Sequence, residues 1–121
     1  MGKSVLIFDD DEDILSILIY LLEEKGWKIY TRTTCANLLT DIADTNPDVI
    51  LMDNWIPEAG GKVATKLIKS HPEYKNIPVI YFSANNDIQS LALEAGADTY
   101  LAKPFDLDQL EDILVNAVEN Q

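Results

Sequence analysis

The sequence predicts a doubly wound α/β fold, a (βα)5 sandwich in which a five-stranded parallel sheet carries helices on both faces. Three observations support this fold class. Short, near-continuous apolar runs recur along the chain, as expected for strands that are buried on both faces. Stretches with helical spacing of apolar residues separate these runs. The length of 121 residues suits one core, so residues 1–121 are expected to form a single domain.

The apolar runs place the strands. A more alternating run begins at Trp27, directly after Gly26, which is suited to end a helix in a left-handed conformation. In chain order, the predicted strands are Val5–Phe8, Trp27–Thr31, Val49–Met52, Val79–Phe82 and Thr99–Ala102.

Apolar residues three or four positions apart place the helices between the strands. In the first helix, the run from Ile14 to Leu22 is wider than one helical face and is expected to lie deep in the core, with an exposed patch for a partner helix as the alternative. The next two helices are marked by Leu38, Leu39 and Ile42, and by Val63, Leu67 and Ile68; the last two run from about Asp87 to Ala95, stopped by Gly96, and from about Asp106 to Glu119.

Composition and charge exclude several classes of partner. With 21 acidic and 9 basic residues, the net charge of −12 repels nucleic acid and anionic lipid surfaces. The longest apolar stretch, Ile14 to Leu22, is about half the length that crosses a bilayer, so no membrane span is predicted. Cys35 has no second cysteine to pair with and is expected to pack at the start of the second helix. No basic-then-apolar secretion signal opens the chain, so the predicted location is the cytoplasm.

Polar residues follow four of the predicted strands. Ligands in doubly wound sheets bind at the carboxyl ends of the strands, which share one edge of the sheet. A helix-capping role accounts for any single one of these residues but less well for the whole set. The strand-end residues are Asp9 and Asp10 after the first strand, Asp53 after the third, Ser83 after the fourth and Lys103 after the fifth.

The carboxylates of Asp9, Asp10 and Asp53 predict a metal site. Three carboxylates at one edge repel one another unless a cation neutralises them. An all-oxygen ligand set favours a hard ion, and Mg²⁺, or Mn²⁺ in its place, suits a few carboxylates better than Ca²⁺ does. Asp11 and Glu12 are expected only to add negative charge to the first turn of the following helix.

The same residues indicate phosphoryl transfer. A divalent ion and the Lys103 ammonium would neutralise the phosphoryl oxygens, and the Ser83 hydroxyl would donate a hydrogen bond to one of them. The Asp53 carboxylate would attack in line and form an aspartyl phosphate.

From Lys3 to about Val118, the sequence resembles the receiver domain of two-component response regulators, a CheY-like, flavodoxin-like fold. No single motif is specific, but the set in this order is. The motifs are Val5–Asp11, Asp48–Asp53, Ile56-Pro57 followed by Gly61, Ile77–Ile80, Ser83-Ala84, Ala95–Asp98 and Tyr100–Phe105.

The resemblance implies a role for each strand-end residue. By this resemblance, Asp53 is the phosphoacceptor and also a metal ligand. The other metal ligands are Asp9, Asp10 and the main-chain carbonyl of Trp55. Ser83 supplies the hydrogen-bonding hydroxyl, and Lys103 is the lysine that pairs with the phosphate. Trp55 is bulkier than the residue usual at its position, and we expect an altered rate of autodephosphorylation.

The resemblance also implies the partners and the readout. The donor would be a phosphohistidine on a sensor histidine kinase or histidine phosphotransfer protein. Phosphorylation would draw Ser83 inward, and Tyr100 would rotate to follow, which changes the face built from the fourth helix, fifth strand and fifth helix for a downstream protein or output domain. Tyr100 fits an ordinary half-buried strand aromatic equally well. Such a domain is not an enzyme beyond its own phosphorylation and dephosphorylation.

Three alternatives remain beside this interpretation. A small phosphohydrolase of the haloacid dehalogenase type would use Asp9 as its nucleophile, although Asp13 departs from that motif and such enzymes are usually longer. A receiver-like module that binds partners without phosphorylation would have no use for the acidic cluster. A flavodoxin-like cofactor site would place three aspartates against a phosphate, which they repel.

Overall fold

The computed structural model describes residues 3–55 and 60–119 and confirms the predicted fold class. The Ile56-Pro57 motif lies outside the described residues. Strands and helices alternate along the chain as β1 Ser4–Phe8, α1 Glu12–Glu24, β2 Lys28–Arg32, α2 Leu38–Thr45, β3 Val49–Asp53, α3 Gly61–Ser70, β4 Val79–Ser83, α4 Ile88–Ala95, β5 Thr99–Ala102 and α5 Leu107–Glu119.

The five strands form one parallel sheet in the order β2-β1-β3-β4-β5. The chain leaves β1 toward one edge of the sheet and continues from β3 toward the other, so β1 and β3 flank the point where the strand order reverses. Phe8 pairs with Met52 across these two strands. The residues that follow them, Asp9 and Asp53, therefore emerge side by side at the carboxyl edge, where such sheets bind ligands.

A hydrophobic core lies on each face of the sheet because alternate strand residues point to opposite faces. Residues such as Phe8 and Met52 pack under α2, α3 and α4, and residues such as Ile7 and Leu51 pack under α1 and α5. Both cores are closed to solvent, so the carboxyl edge is built on a rigid support.

Cys35 is a packing residue, as predicted, although it precedes α2 rather than starting that helix. Its thiol is buried, with Sγ 4.0 Å from the Met52 Sδ. Burial, with a smaller contribution from the Asp41 charge, raises the pKa of Cys35 to about 12. The thiol therefore stays protonated at neutral pH and is a poor nucleophile.

Helix α1 buries only part of its apolar run, which agrees with the alternative of an exposed patch rather than with a deeply buried run. Ile17 is 58% exposed and Tyr20 is 66% exposed, whereas Leu15, Leu18 and Leu22 are buried. A helix that covers one face of a sheet buries only one stripe of its surface, so the apolar residues beyond that stripe remain in solvent. Ile17 lines a groove between α1 and the segment that leads into α5.

The helix ends follow the sequence signals. Asp11 caps α1, because its Oδ1 accepts hydrogen bonds from the main-chain N–H groups of Asp13 and Ile14. Gly26, which follows α1, adopts a φ angle of +88°, as predicted for a left-handed helix end. Gly96 ends α4, as predicted, with a φ angle of +83°.

Within the described part of the chain, no helix combines the length and the apolar character needed to cross a membrane.

Candidate functional site

The carboxyl edge of the sheet brings three predicted acidic residues together. Asp9, Asp10 and Asp53 each offer a carboxylate oxygen, and these oxygens all lie within 4.8 Å of one another. Asp9 and Asp53 are only 1% and 5% exposed, whereas Asp10 is exposed. One open and two buried carboxylates leave the cluster reachable from solvent on one side.

Lys103, which directly follows the edge strand β5, contacts the acidic cluster. Its Nζ lies 2.9 Å from Asp9 Oδ2 and 3.1 Å from Asp53 Oδ1, so one ammonium bridges both buried carboxylates. The Lys103 main-chain N–H donates to the Ser83 carbonyl, which fixes the backbone at the end of β5. The ammonium also lies 4.5 Å from the centre of the Phe82 ring, a favourable cation–π distance.

The second oxygen of each buried carboxylate is held by a main-chain group. Asp9 Oδ1 accepts from the Asp11 N–H at 2.9 Å, and Asp53 Oδ2 accepts from the Trp55 N–H at 3.2 Å. Both side chains are thus held by two contacts each, and the loops after β1 and β3 set their orientation.

The cluster carries unbalanced negative charge. When all groups are ionised, three carboxylates face one ammonium, which leaves an excess of two negative charges. Burial and repulsion from Asp9 raise the pKa of Asp53 to about 6, against the opposing effect of Lys103. Burial lowers the pKa of Lys103, but its hydrogen bonds and attraction to Asp9 and Asp53 outweigh burial and raise that pKa above its ordinary value.

The site fits a small divalent cation. Oxygens that share one octahedral Mg²⁺ ion lie roughly 3 to 4 Å apart, and the three carboxylate oxygens, all within 4.8 Å of one another, are close enough to converge on one ion. The donors are all carboxylate oxygens, which suit Mg²⁺, and a charge of +2 would cancel the excess on the cluster.

The other predicted site residues lie at or near the same edge. Ser83 is buried at the end of β4, where its Oγ accepts from the Asn85 N–H and so keeps the hydroxyl proton free to donate. Tyr100 is 38% exposed on β5, where it pairs with Tyr81 across the strands. Trp55 follows the acidic residue of β3 with its side chain 74% exposed.

Gly61, the first residue of α3, lies against the backbone at Asp53. A Cβ at residue 61 would overlap the Asp53 carbonyl oxygen and lie 3.0 Å from Asn54 Cα. The Gly61 N–H also donates to the Asn54 carbonyl at 3.2 Å. The start of α3 therefore packs directly on the backbone that presents Asp53, and only glycine allows this approach.

We expect Gly61→Ala to lower the free energy of unfolding by about 2 kcal/mol, because the methyl group must push the Asp53 backbone away. The affinity for Mg²⁺ falls with it, since Asp53 is displaced. Urea denaturation and calorimetric Mg²⁺ titration measure the two effects, with Lys66→Ala, an exposed change on the same helix, as the control. Equal behaviour of the two variants would contradict this explanation of Gly61.

One contact at this edge is absent from the sequence-based predictions. The Tyr81 hydroxyl donates to Asn54 Oδ1, next to Asp53. The signal in the sequence is the tyrosine itself, since a phenol inside the apolar run of a fully buried strand needs a hydrogen-bond partner.

Comparison with known proteins identifies the family. The family model of the response regulator receiver domain matches residues 5–115. The chain belongs to this family. PilG of Pseudomonas aeruginosa is 32% identical over 111 residues, which cover 90% of this chain and 82% of PilG. The CAI-1 autoinducer sensor kinase/phosphatase CqsS of Vibrio cholerae is 34% identical over 119 residues, or 96% of this chain.

Solved receiver domains share the fold. The receiver domain of the sensor histidine kinase PA1611 from Pseudomonas aeruginosa has a TM-score of 0.89 at 26% identity, covers 98% of this chain and 99% of its own, and holds a magnesium ion in its active-site cleft. The receiver domain of NtrX from Brucella abortus has a TM-score of 0.87 at 26% identity, with coverage of 97% and 99%.

The family defines what this domain is. A receiver domain is a phosphoacceptor signalling switch, so the predicted class of function is confirmed and the hydrolase alternative is not favoured. The chain spans only 17% of CqsS and 25% of the Escherichia coli regulatory protein AtoC, which it matches at 34% identity.

Proposed function

We propose that Asp53 of this receiver domain accepts a phosphoryl group from a phosphohistidine on a sensor histidine kinase or histidine phosphotransfer protein. Residues 1–121 form one domain that catalyses only its own phosphorylation and dephosphorylation. The observation that carries the proposal is the Lys103 ammonium, which bridges Asp9 and Asp53 inside a cluster of three carboxylates. The Asp53 carboxylate, the proposed acceptor, is therefore in contact with a fixed positive charge and lies beside the other acidic metal ligands.

The cation site is assigned to the carboxylates of Asp9, Asp10 and Asp53 and to the main-chain carbonyl of Trp55. Mg²⁺ is the proposed ion, with Mn²⁺ as an alternative of similar ligand preference. When bound, the ion supplies positive charge to the carboxylates and to the oxygens of the transferring group.

Each side chain has one task in the transfer. The Asp53 carboxylate oxygen forms the new bond to phosphorus as the bond from phosphorus to the donor histidine nitrogen breaks, and the imidazole leaves with the bonding electrons. Lys103 pairs with a phosphoryl oxygen, and the Ser83 hydroxyl donates a hydrogen bond to another. The Asp11 N–H holds Asp9 at Oδ1, so Asp9 keeps its orientation when Lys103 turns from the carboxylates toward the phosphoryl oxygen.

The donor would dock on the groove beside Lys103. This groove, of about 300 Å³, has an apolar lining from α1 and the segment entering α5, and Lys103 lines it too. Exposed Ile17 on α1 gives the groove an apolar rim. Because Lys103 contacts both the groove and Asp53, a partner helix seated there would bring its histidine to the acceptor.

The proposed readout is on the face formed by α4, β5 and α5. Movement of Ser83 toward the phosphoryl group would open room for Tyr100, whose ring is partly exposed on β5. Leu93 of α4 is 81% exposed and offers an apolar contact to a downstream protein or output domain. The proposed domain works in the cytoplasm and does not itself bind nucleic acid or membrane, in keeping with its net charge of −12.

Intact mass measurement after incubation with acetyl phosphate tests the function. We expect a phosphoryl adduct in the presence of Mg²⁺ and none in EDTA. Asp53→Asn removes the adduct, whereas a hydrolase with Asp9 as nucleophile would lose it only in Asp9→Asn. A wild-type protein that takes up no phosphoryl group in Mg²⁺ would contradict the proposal.

Trp55 is expected to set the phosphoryl lifetime. Trp55 is largely exposed and lies two residues after Asp53, so its indole can cover a phosphoryl group on Asp53. We expect Trp55→Asn to admit water and shorten the lifetime of the phosphoryl group. Loss of the adduct over time after removal of acetyl phosphate measures the effect. Tyr20→Asn, which removes an exposed aromatic from α1, is the matched control. The same lifetime in wild type and Trp55→Asn would remove this role.

A further inference from the structure

Tyr81 is fully buried in the middle of β4, within the core under α2, α3 and α4. Burial, with a smaller effect of the Asp53 charge, raises the pKa of Tyr81 to about 12, so its hydroxyl keeps its proton at neutral pH. The hydroxyl donates a hydrogen bond to Asn54 Oδ1. The phenol thus reaches from the core to the residue directly after Asp53.

Asn54 is held at three points. Its side chain accepts from Tyr81, its N–H donates to the Phe82 carbonyl at 3.3 Å, and its carbonyl accepts from the Gly61 N–H at 3.2 Å. The two main-chain bonds fix the position of the backbone, whereas the Tyr81 bond is the one that ties the side chain to the core.

We infer that Tyr81 is a positioning residue for the cation site, acting through Asn54 to hold the segment from Asp53 to Trp55. This inference rests on the proposed function and deepens it. The segment supplies the Asp53 carboxylate and the Trp55 N–H that orients it. A side-chain anchor on the intervening residue restricts rotation of both neighbours, so the ligands are held in place before a cation arrives.

Tyr81→Phe tests the inference because it removes only the hydroxyl and keeps the ring that fills the core. Groups that orient metal ligands typically contribute about tenfold or more to metal affinity, so we expect the Mg²⁺ dissociation constant to rise about tenfold. Isothermal titration calorimetry measures this directly. The rate of labelling by acetyl phosphate falls at low Mg²⁺ and returns to the wild-type value at saturating Mg²⁺.

Two further variants separate positioning from a general loss of stability. Asn54→Ala removes the acceptor of the same bond, and the double variant with Tyr81→Phe binds Mg²⁺ no more weakly than either single variant if the two act as one unit. Tyr74→Phe removes a hydroxyl from a tyrosine outside the site and leaves the Mg²⁺ affinity unchanged.

An unchanged Mg²⁺ affinity in Tyr81→Phe, or losses that simply add in the double variant, would overturn the inference. These results leave the proposed function intact as long as wild type binds Mg²⁺ and is phosphorylated. Wild-type protein that neither binds Mg²⁺ nor takes up a phosphoryl group would overturn the proposed function, and the inference with it.

Discussion

Replacing Lys103 with methionine is expected to slow phosphorylation by acetyl phosphate at least about 100-fold, because the variant lacks the fixed positive charge that faces the transferring group. The metal-free protein also becomes less stable at neutral pH. Asp9 and Asp53 remain buried without their shared ammonium, and an unpaired buried charge of this kind costs about 3 kcal/mol. Labelling rates and urea denaturation in EDTA measure the two effects.

Conditions that neutralise the carboxylates should restore much of this stability. Mg²⁺ supplies the missing positive charge, and mild acid protonates Asp53, whose pKa is raised to about 6, so the deficit of Lys103→Met shrinks in both cases. Lys103→Arg retains the charge and most of the stability, but its broader guanidinium fits the site poorly and transfer stays slow. The control is Lys66→Met, which replaces an exposed lysine on α3. A Lys103→Met protein that matches this control in both rate and stability would refute the role given to Lys103.

Replacing Asp53 with asparagine is expected to abolish phosphorylation and to stabilise the metal-free protein at neutral pH. The folded protein raises the pKa of Asp53 from 3.8 to about 6, so it binds this proton more tightly than the unfolded chain does. The resulting stabilisation is complete at a pH below the pKa of Asp53 in the unfolded chain. It is lost as the pH rises through the pKa of Asp53 in the folded protein. The loss at neutral pH amounts to roughly 3 kcal/mol, and an asparagine does not suffer it.

The difference between the two proteins should therefore depend on pH. In EDTA, Asp53→Asn is more stable than wild type at neutral pH, and the difference vanishes near the ordinary pKa of an aspartate. In Mg²⁺, wild type becomes the more stable of the two proteins. The ion stabilises wild type by binding to it, and it binds the variant more weakly because the variant lacks the Asp53 carboxylate. Urea denaturation across this pH range, with and without Mg²⁺, provides the measurement. A difference that is constant with pH would show that Asp53 does not titrate in this way.

The sequence carries enough information to predict the fold and the edge where the site lies. Asp9 and Asp53 each come directly after four consecutive apolar residues, and such runs are typical of parallel strands buried on both faces, whose carboxyl ends share one edge of the sheet. Lys103 follows the weaker fifth strand, and its side chain is long enough to reach both carboxylates from there.

Features that depend on packing were beyond the sequence pattern. The apolar run of α1 does not reveal which residues the sheet covers, so the sequence leaves both a buried run and an exposed patch open and does not identify Ile17 and Tyr20 as the exposed residues. Similarly, no pattern in β4 shows that Tyr81 points toward the loop after β3, because that contact joins residues 27 positions apart in sequence and needs both the strand order and the rotamer.

The most direct test of the phosphoacceptor assignment is peptide mapping of the adduct formed with acetyl phosphate and Mg²⁺. Borohydride reduction converts an aspartyl phosphate to homoserine, which tandem mass spectrometry locates in the chain. We expect homoserine at Asp53 in the sample with Mg²⁺ and an unmodified Asp53 peptide in the sample with EDTA. Homoserine at Asp9, or a phosphoryl group on any other residue with Asp53 unmodified, would contradict the assignment.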